Sequence, residues 1–294
     1  MSTAPPPTTT APPGPSARPV PPRIELDGIR MSYRTPARRG RPATELVAIE
    51  RVDLVAEQNA FVSVIGPSGC GKSSLLKVIS RVVGTAGGSV RIDGEPIADV
   101  DLTGRLSFMF QQPLLLPWRT VLDNVLLPVQ VLRRTRPAAG RAEAVRLLEA
   151  VGLGQVLDQH PAQLSGGMRQ RVALARALVT APEILLMDEP FGAVDEITRE
   201  TLQEQLLQVW QETRTTIVLV THQIEEAVLL SDSVVVMSAG PGTVLEVIDV
   251  DLPRPRDADV RRTPEFHRLV DHLRDLLRPG TGTAGPTTPG GEPR

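Results

Sequence analysis

Runs of consecutive apolar residues recur along the chain and are separated by polar turns. The runs that predict strands cover residues 61–65, 106–110, 183–189, 216–220 and 234–237. A strand buried on both faces shows such an unbroken run, and Phe61–Ile65 is typical of a strand in a parallel sheet. A further strand is predicted over Thr243–Val250, joined to the run before it by the turn Gly240-Pro241-Gly242. The pattern therefore predicts an α/β core.

The N-terminal part alternates apolar and polar residues instead. Ile24–Ile29 alternates and leads to Tyr33, and Leu46–Val55 alternates again. Such alternation is typical of half-buried strands. We expect an antiparallel β subdomain here, with 46–55 as an edge strand and a third strand within Gly87–Gly94. Between Arg30 and Arg41 the chain has five arginines and no acidic residue, which predicts a basic loop.

Helical spacing dominates the middle of the chain. Residues 112–170 predict an inserted helical subdomain, with helices over Thr120–Leu127 and Arg141–Val151 and a third after Gly166. Thr198–Glu212 has apolar residues at helical spacing and should pack on the sheet, with Trp210 in the core. Near the end, Thr263-Pro264-Glu265 predicts the start of an amphipathic helix. The apolar residues of that helix are Phe266, Leu269, Val270, Leu273, Leu276 and Leu277.

Composition narrows the possible classes of protein. Residues 1–22 and 279–294 are rich in Pro, Thr and Gly and predict disordered tails around one domain over 23–278. The net charge of -2 in 294 residues disfavours a nucleic-acid-binding protein. The single cysteine excludes an internal disulfide. Without a run of ~20 apolar residues or the apolar segment of a secretion signal, we expect a cytoplasmic chain.

A glycine-rich loop lies between the predicted strand 61–65 and a predicted helix that starts near Leu75. Its sequence is Gly66-Pro67-Ser68-Gly69-Cys70-Gly71-Lys72-Ser73-Ser74. Glycines let consecutive backbone N–H groups surround a phosphate chain, a lysine reaches the outer phosphates, and a serine hydroxyl ligates Mg²⁺. The loop therefore matches a Walker A motif, which predicts binding of a nucleotide phosphate chain and Mg²⁺, and the alternative is a turn that binds nothing.

Two acidic residues end the apolar run 183–189. Asp188 lies where a carboxylate can hold Mg²⁺ opposite Ser73. Glu189 follows and places a second carboxylate beyond the last phosphate, where it would orient or deprotonate the attacking water. The alternative is a pair of acids that merely ends a strand.

A second anion-binding sequence precedes the third helix of the insertion. In Leu164-Ser165-Gly166-Gly167-Met168-Arg169-Gln170, a serine and two glycines stand at a helix start, where backbone N–H groups are free to bind anions. A plain helix cap would explain Ser165 and Gly166 alone. We expect a composite site, in which a second copy of the chain offers this loop to the bound nucleotide.

Together these motifs resemble the ATP-binding cassette (ABC) family over residues 24–237. Leu164–Gln170 is similar to the family's signature motif and Gly192–Asp195 to its D-loop. Gln111 resembles the Q-loop glutamine, His222 the switch histidine, and Tyr33 the aromatic residue that stacks on adenine. The resemblance implies a P-loop NTPase cassette with a RecA-like parallel-sheet core.

The resemblance also implies roles and partners. Two cassettes would close head to tail on two ATP molecules, each held between one Walker A loop and Ser165–Gly167 of the other copy. Glu189 would activate water, with Lys72 and His222 holding phosphate, and Gln111 would sense Mg²⁺ and the membrane partner. A single cassette resembles the ATPase subunit of bacterial importers, which sits on the cytoplasmic face of the membrane. It would work with two transmembrane permease subunits and an extracytoplasmic substrate-binding protein.

Three segments are similar to the nitrate, sulfonate and taurine importer group: residues 110–118, 164–178 and 248–256. In that group, Leu116–Trp118 would lie near the permease. Trp118 is equally consistent with a partly buried packing residue. Two alternatives come from other classes of protein. A P-loop kinase would share Lys72 and Ser73 but would not need Ser165–Gly167 or His222. A soluble cassette acting on nucleic acid or ribosomes, or a cassette for another substrate, would keep every motif.

Overall fold

We describe a computed structural model of the chain over residues 20–35, 44–132, 137–192, 194–257 and 259–278. Most of the two predicted tails and the basic loop beyond Thr35 lie outside the described residues. Residues 20–22 of the predicted N-terminal tail are described, and they belong to neither a helix nor a strand. Within the described ranges, no helix is long and apolar enough to cross a bilayer.

The described residues form one sheet and the helices that pack on it. The strands are β1 (Ile24–Thr35), β2 (Thr44–Ala56), β3 (Phe61–Ile65), β4 (Gly87–Ile92), β5 (Glu95–Pro96), β6 (Leu106–Met109), β7 (Ile184–Asp188), β8 (Thr216–Val220), β9 (Ser233–Met237) and β10 (Gly242–Asp249). The helices are α1 (Lys72–Ile79), α2 (Val121–Leu132), α3 (Pro137–Ala150), α4 (Gly166–Leu178), α5 (Glu196–Thr213), α6 (Ile224–Leu230) and α7 (Pro264–Leu276). Single 3₁₀ turns lie at Pro161–Gln163 and Val260–Arg262.

The strands follow the order β5-β4-β1-β2-β10-β9-β3-β8-β7-β6. From β9 to β6 all neighbours are parallel, which confirms the predicted parallel core. Strands β5, β4, β1 and β2 pair in antiparallel fashion, as predicted for the N-terminal part. The predicted edge position of residues 46–55 is wrong, because β2 lies inside the sheet between β1 and β10.

The apolar run of β3 is explained by burial on both faces. All five residues of β3 are buried. Phe61 and Ile65 pack into one apolar cluster with the helices α2, α4, α5, α6 and α7, whereas Val62 and Val64 pack into a second cluster with α1 and the antiparallel strands. Burying one such side chain contributes about 1.5–3 kcal/mol. The two clusters therefore hold β3, and the loop that follows it, at the centre of the molecule.

Helices α2 and α3 form the insertion and pack against each other and against α4. Inside it, the buried Asn124 side chain accepts the Leu116 N–H at 2.7 Å and donates to the Leu116 carbonyl at 3.2 Å, which fixes the loop before α2. The predicted helix over 120–127 continues to Leu132 through Pro128. The helix after Gly166 ends at Leu178, beyond the predicted subdomain boundary near residue 170.

Two further predictions concern the last third of the chain. Trp210 is buried and meets the Phe61 ring edge to face at 5.6 Å, so its predicted core position is confirmed. Thr263 caps α7 as predicted, because its hydroxyl accepts the Phe266 N–H at 3.3 Å.

The short helix α6 and the two-residue strand β5 are absent from the predicted elements.

Candidate nucleotide-binding site

The glycine-rich loop joins β3 to α1, and its glycines are required by close approaches. Gly69 and Gly71 have φ angles of 80° and 98°, in the left-handed region that other residues rarely adopt. A Cβ on Gly71 would lie 2.7 Å from Ile49 Cγ1, and one on Gly66 would lie 2.8 Å from the Met237 carbonyl oxygen. The loop therefore packs tightly onto β2 and β9 on its inner side, whereas residues 67–69 are exposed.

The loop borders a cleft of about 530 Å³. The lining residues are Tyr33, Leu46, Val47, Ala48, Ser68, Gly69, Gly71, Lys72, Ser73, Ser74, Glu189, Gly240 and Pro241. Most of the predicted loop residues are thus in the wall. Gly66, Pro67 and Cys70 belong to the loop but do not line the cleft.

Two side chains of the loop turn inward. The buried Lys72 ammonium donates to the carbonyl oxygens of Gly66 at 2.8 Å and Pro67 at 3.0 Å. Cys70 is fully buried in the apolar cluster below the loop, with its Sγ 3.8 Å from Lys72 Nζ. Cys70 can therefore offer only backbone groups to a ligand, as expected for a small structural residue.

Ser73 and Asp188 meet at the end of the cleft. The Ser73 hydroxyl donates to Oδ1 of Asp188, the last residue of β7, at 2.8 Å. Burial raises the pKa of the Asp188 carboxyl above its ordinary value, although the hydrogen bond from Ser73 works in the opposite direction. A hydroxyl and a carboxylate are hard oxygen donors of the kind that Mg²⁺ prefers, so this pair fits the predicted metal ligands.

Glu189 and His222 lie together because β7 and β8 are parallel neighbours. Asp188 pairs with Val220 in the sheet, so the residues just beyond each strand end share one edge. Glu189 Oε2 lies 3.2 Å from His222 Nδ1. Glu189 also has a positive φ of 45°, an unusual conformation for a residue with a side chain and one that often marks functional sites.

Gln111 extends the same edge, since it follows β6, the parallel neighbour of β7. A Cβ built on Gly192 would lie 3.5 Å from Gln111 Nε2 and 3.8 Å from Glu189 Oε2, so both side chains flank Gly192. The structure thus brings Gln111 next to Glu189. Like Asp188 and His222, Gln111 adjoins the residues of the cleft wall without lining the cleft.

Tyr33 lies near the end of β1 and lines the same cleft. Its hydroxyl is 2.9 Å from Ser74 Oγ, and the side chain is partly exposed along the cleft. Its neighbours in the wall, residues 46–48 and the turn Gly240–Pro241, are missing from the sequence-based site. The turn was predicted as a turn, but only the pairing of β9 with β3 places it beside the phosphate loop.

The signature residues are presented on a different surface. Ser165 caps α4, with its Oγ accepting the Met168 N–H at 3.2 Å, and Ser165 and Gly166 are exposed. A Cβ on Gly167 would lie 2.3 Å from Thr198 Cγ2, so glycine allows α4 to approach α5. None of Ser165–Gly167 is among the described residues that line the cleft.

Arg199 connects the D-loop to the segment that follows the switch histidine. Its guanidinium donates to the Val194 carbonyl at 3.0 Å and to Gln223 Oε1 at 3.3 Å. Asp195 caps α5 by accepting the Thr198 N–H at 3.1 Å. Residue 193 of the predicted D-loop lies outside the described residues.

Comparisons with known proteins agree with this site. Residues 49–192 match the family model described as ABC transporter. The chain is 44% identical over 257 residues to the nitrate import ATP-binding protein NrtD of Synechococcus elongatus, covering 86% of this chain and 91% of that protein. It is 42% identical over 260 residues to the nitrate transport protein NasD of Klebsiella oxytoca, covering 87% and 96%.

A solved structure supports the fold. The dimeric ATP-binding cassette MJ0796, in a post-hydrolysis state bound to ADP and Pi, superimposes with a TM-score of 0.67 at 32% identity, covering 78% of this chain and all of that chain. The predicted α/β cassette fold and the predicted binding of ATP with Mg²⁺ are therefore confirmed at the level of the family. With a phosphate loop, an acidic strand end and relatives matched over nearly their whole length, the chain belongs to the ABC transporter family and is an ATPase whose ATP hydrolysis is coupled to transport.

Proposed function

We propose that this chain is the ATP-hydrolysing subunit of an import system for a small anion such as nitrate, an aliphatic sulfonate or taurine. The observation that carries the chemistry is the Glu189–His222 contact of 3.2 Å beside the Ser73–Asp188 pair. The substrate class is supported by two relatives above 40% identity that are named for nitrate import or transport. Relatives named for bicarbonate transport support a small anion more generally.

The phosphates of ATP would lie along the loop between Ser68 and Ser74. Lys72 offers a positive charge next to them, and the start of α1 adds the positive end of a helix dipole. Ser73 and Asp188 would hold Mg²⁺, which neutralises charge on the phosphate oxygens when it is bound. Tyr33 lines the same cleft and would offer its ring to the adenine base.

Hydrolysis would use the acidic end of β7. Glu189 would orient a water molecule and accept its proton as the water oxygen attacks the terminal phosphorus. The bond between that phosphorus and the bridging oxygen breaks at the same centre, and ADP leaves with the oxygen. The contact with His222 Nδ1 would fix the orientation of the Glu189 carboxylate, and Gln111 flanks Gly192 together with Glu189. Preorganised charge of this kind supplies much of the acceleration in phosphoryl transfer.

The separate location of Ser165–Gly167 supports a dimer. These residues have an exposed serine hydroxyl and a helix start, yet they lie outside the cleft of their own chain. A second copy arranged head to tail would bring them to the nucleotide, and the matched MJ0796 cassette is itself dimeric. We infer that the working unit is a homodimer with two composite sites.

A permease would bind near the loop after β6. This loop exposes Phe110, Leu114 and Trp118, the last with 72% of its surface accessible. Arg176 of α4 donates to the carbonyls of Pro113 at 2.6 Å and Leu114 at 2.8 Å, so the apolar side chains are presented on a fixed backbone. Such a patch suits two transmembrane subunits that hold the dimer at the cytoplasmic face of the membrane. The substrate-binding protein would act on the opposite side of the membrane. We expect no nucleic acid among the partners of the chain.

Glu189→Gln tests the chemistry. The variant should bind MgATP with near wild-type affinity, lose turnover by at least ~10²-fold, and accumulate as an ATP-bound dimer, because the amide cannot accept the proton. The measurements are steady-state phosphate release and size-exclusion chromatography with ATP. Glu95→Gln, an exposed change on β5, is the matched control. Hydrolysis by the Glu189→Gln variant at the wild-type rate would show that another group is the base.

The transport role is tested by affinity purification from native membranes in mild detergent. Recovery of a polytopic permease would support an import system, and its binding protein could then be titrated with nitrate, taurine and alkylsulfonates. Recovery of ribosomal or DNA-repair proteins alone would support the soluble alternative. Tight binding of an unrelated solute would keep the ATPase role but overturn the proposed substrate class.

A further inference from the structure

A buried carboxylate is hydrogen-bonded to Thr221, the residue just before the predicted switch histidine His222. Glu226 is in the first turn of α6, and only 3% of its surface is accessible. The Thr221 hydroxyl donates to Glu226 Oε2, and Gln203 Nε2 of α5 donates to Oε1 at 3.4 Å. Among the described residues, no basic side chain is within ion-pair distance of this carboxylate. An ionised carboxylate without a charged partner is costly to bury, and the proposed mechanism gives Glu226 no role.

The contacts of Thr221 bracket His222. Thr221 is the residue just before His222, and its backbone N–H donates to the Val64 carbonyl at 3.2 Å. Its hydroxyl oxygen accepts the N–H of Gln223, the residue just after His222, at 3.1 Å. The same hydroxyl thus closes the turn around His222 as an acceptor and binds Glu226 as a donor. Its orientation is set by the carboxylate.

We propose that Glu226 is a positioning residue for His222, acting through the Thr221 hydroxyl. The inference rests on the proposed role of His222 beside Glu189. With Glu226 ionised, the Thr221 O–H points at the carboxylate and leaves a lone pair for the Gln223 N–H. A neutral group here, either the protonated acid or a glutamine, leaves one acceptor oxygen for the two donors Thr221 and Gln203. The hydroxyl then loses its fixed orientation, the turn loosens, and the 3.2 Å contact between His222 and Glu189 is no longer fixed.

The surroundings also couple this arrangement to pH. Burial raises the pKa of Glu226 to about 7, against the hydrogen bonds from Thr221 and Gln203. From α5, Arg199 favours the ionised carboxylate, whereas Glu189 beyond β7 disfavours it.

Other charged groups lie further out. Arg261 of the 3₁₀ turn reaches Gln203 Oε1 at 2.6 Å, on the side of the amide away from the acid. Glu225 of α6 faces Arg274 of α7 at 3.8 Å instead of the buried site. Because both direct partners of Glu226 donate to it, the ionised form is the one that orders the turn. Turnover should therefore fall as the pH drops through about 7.

A double-mutant cycle of Glu226→Gln with His222→Ala tests the proposal in the full-length protein. We expect Glu226→Gln to lower kcat about ten-fold at pH 8 with less than a two-fold change in the KM for ATP, since nucleotide binding is elsewhere. In the His222→Ala background it should cost less than two-fold, because the group it positions is gone. The acid limb of the wild-type profile near pH 7 should also disappear in Glu226→Gln. Glu225→Gln is the neighbouring surface control and should match the wild type.

Variants of Thr221 cover a folding failure of Glu226→Gln. Thr221→Ser keeps the hydroxyl and should stay near wild-type kcat, whereas Thr221→Val should reproduce the ten-fold loss. Equal kcat for Thr221→Val and Thr221→Ser would overturn the proposal, as would an additive cycle or an unchanged acid limb. If His222→Ala alone has no effect, the proposed role of His222 fails. If His222→Ala is slow but the cycle is additive, only the positioning role fails.

Discussion

The turn between β9 and β10 packs against the phosphate loop so closely that one methyl group should disturb nucleotide binding. A Cβ on Gly242 would lie 2.0 Å from the Cys70 carbonyl oxygen and 2.7 Å from Met237 Cε. The methionine side chain can rotate away. The carbonyl cannot, because Cys70 is buried and lies between the two left-handed glycines of the loop.

The size of the effect follows from that distance. Relief to the 3.4 Å of ordinary contact needs a shift of about 1.4 Å between the turn and the loop. Forcing an extra methyl group into a packed region costs about 1–3 kcal/mol. Since Gly71 and Lys72 follow Cys70 directly, a large part of that cost should appear in nucleotide binding. At about 1.4 kcal/mol per factor of ten, we expect ATP affinity to fall about ten-fold or more in Gly242→Ala.

The assay is equilibrium titration with a fluorescent ATP analogue, together with thermal unfolding of the free protein. Gly84→Ala is the matched control, because a Cβ at Gly84 would have no heavy atom within 4 Å. The control should bind ATP like the wild type. Wild-type affinity and wild-type stability in Gly242→Ala would refute the claim that this contact positions the loop.

Two further predictions concern other contacts. Asp188→Asn removes the carboxylate that accepts the hydrogen bond of the Ser73 hydroxyl at 2.8 Å. The Mg²⁺ concentration needed for half-maximal ATPase activity should therefore rise by at least ~10-fold. An unchanged Mg²⁺ titration would contradict the metal role. Phe61→Ala removes a fully buried ring whose centroid lies 5.6 Å from that of the Trp210 ring. The variant should lower the free energy of unfolding, measured by urea titration, by about 3–5 kcal/mol. A loss below ~1 kcal/mol would show that the core collapses around the gap.

The strands of the parallel core were predictable because strands buried on both faces appear in the sequence as unbroken apolar runs. Phe61–Ile65 and Thr216–Val220 coincide with β3 and β8, and every residue in both strands is buried. A strand covered on both faces has no solvent side to interrupt its apolar run. The apolar run 183–189 likewise predicted β7, which spans Ile184–Asp188. The ends of β7 and β8 therefore indicated the positions of Asp188 and His222.

Helix α6 was not predictable by the same means. It has only seven residues, Ile224–Leu230, and its Ala227–Leu230 half is buried all round. Such a segment has no polar face and so no helical period to detect. Gln223, at its N-cap, also forms no side-chain cap hydrogen bond, so the start signal is missing as well.

The pairing of strands that are distant in the sequence could not be predicted either. The sequence indicated a strand over 46–55, but not that β10, almost two hundred residues later, pairs with it. For the same reason Leu46–Ala48 and Gly240–Pro241 were absent from the predicted cleft. Local patterns specify an element and its buried face, whereas the pairing of distant strands depends on tertiary packing.

The strand order β3-β8-β7-β6 places the proposed catalytic residues along one edge of the sheet. The phosphate loop, His222, Glu189 and Gln111 follow the ends of four parallel neighbours, so strand spacing and register fix their separations. The signature residues Ser165–Gly167 begin α4, which packs on α2 and α3, and none of them lines the cleft in the described part of the chain. A sheet edge cannot reach a helix start on another surface of its own chain. If the sheet-edge residues and Ser165–Gly167 take part in one reaction, Ser165–Gly167 must come from another copy of the chain. The geometry of the dimer then determines when the residues at the sheet edge can act.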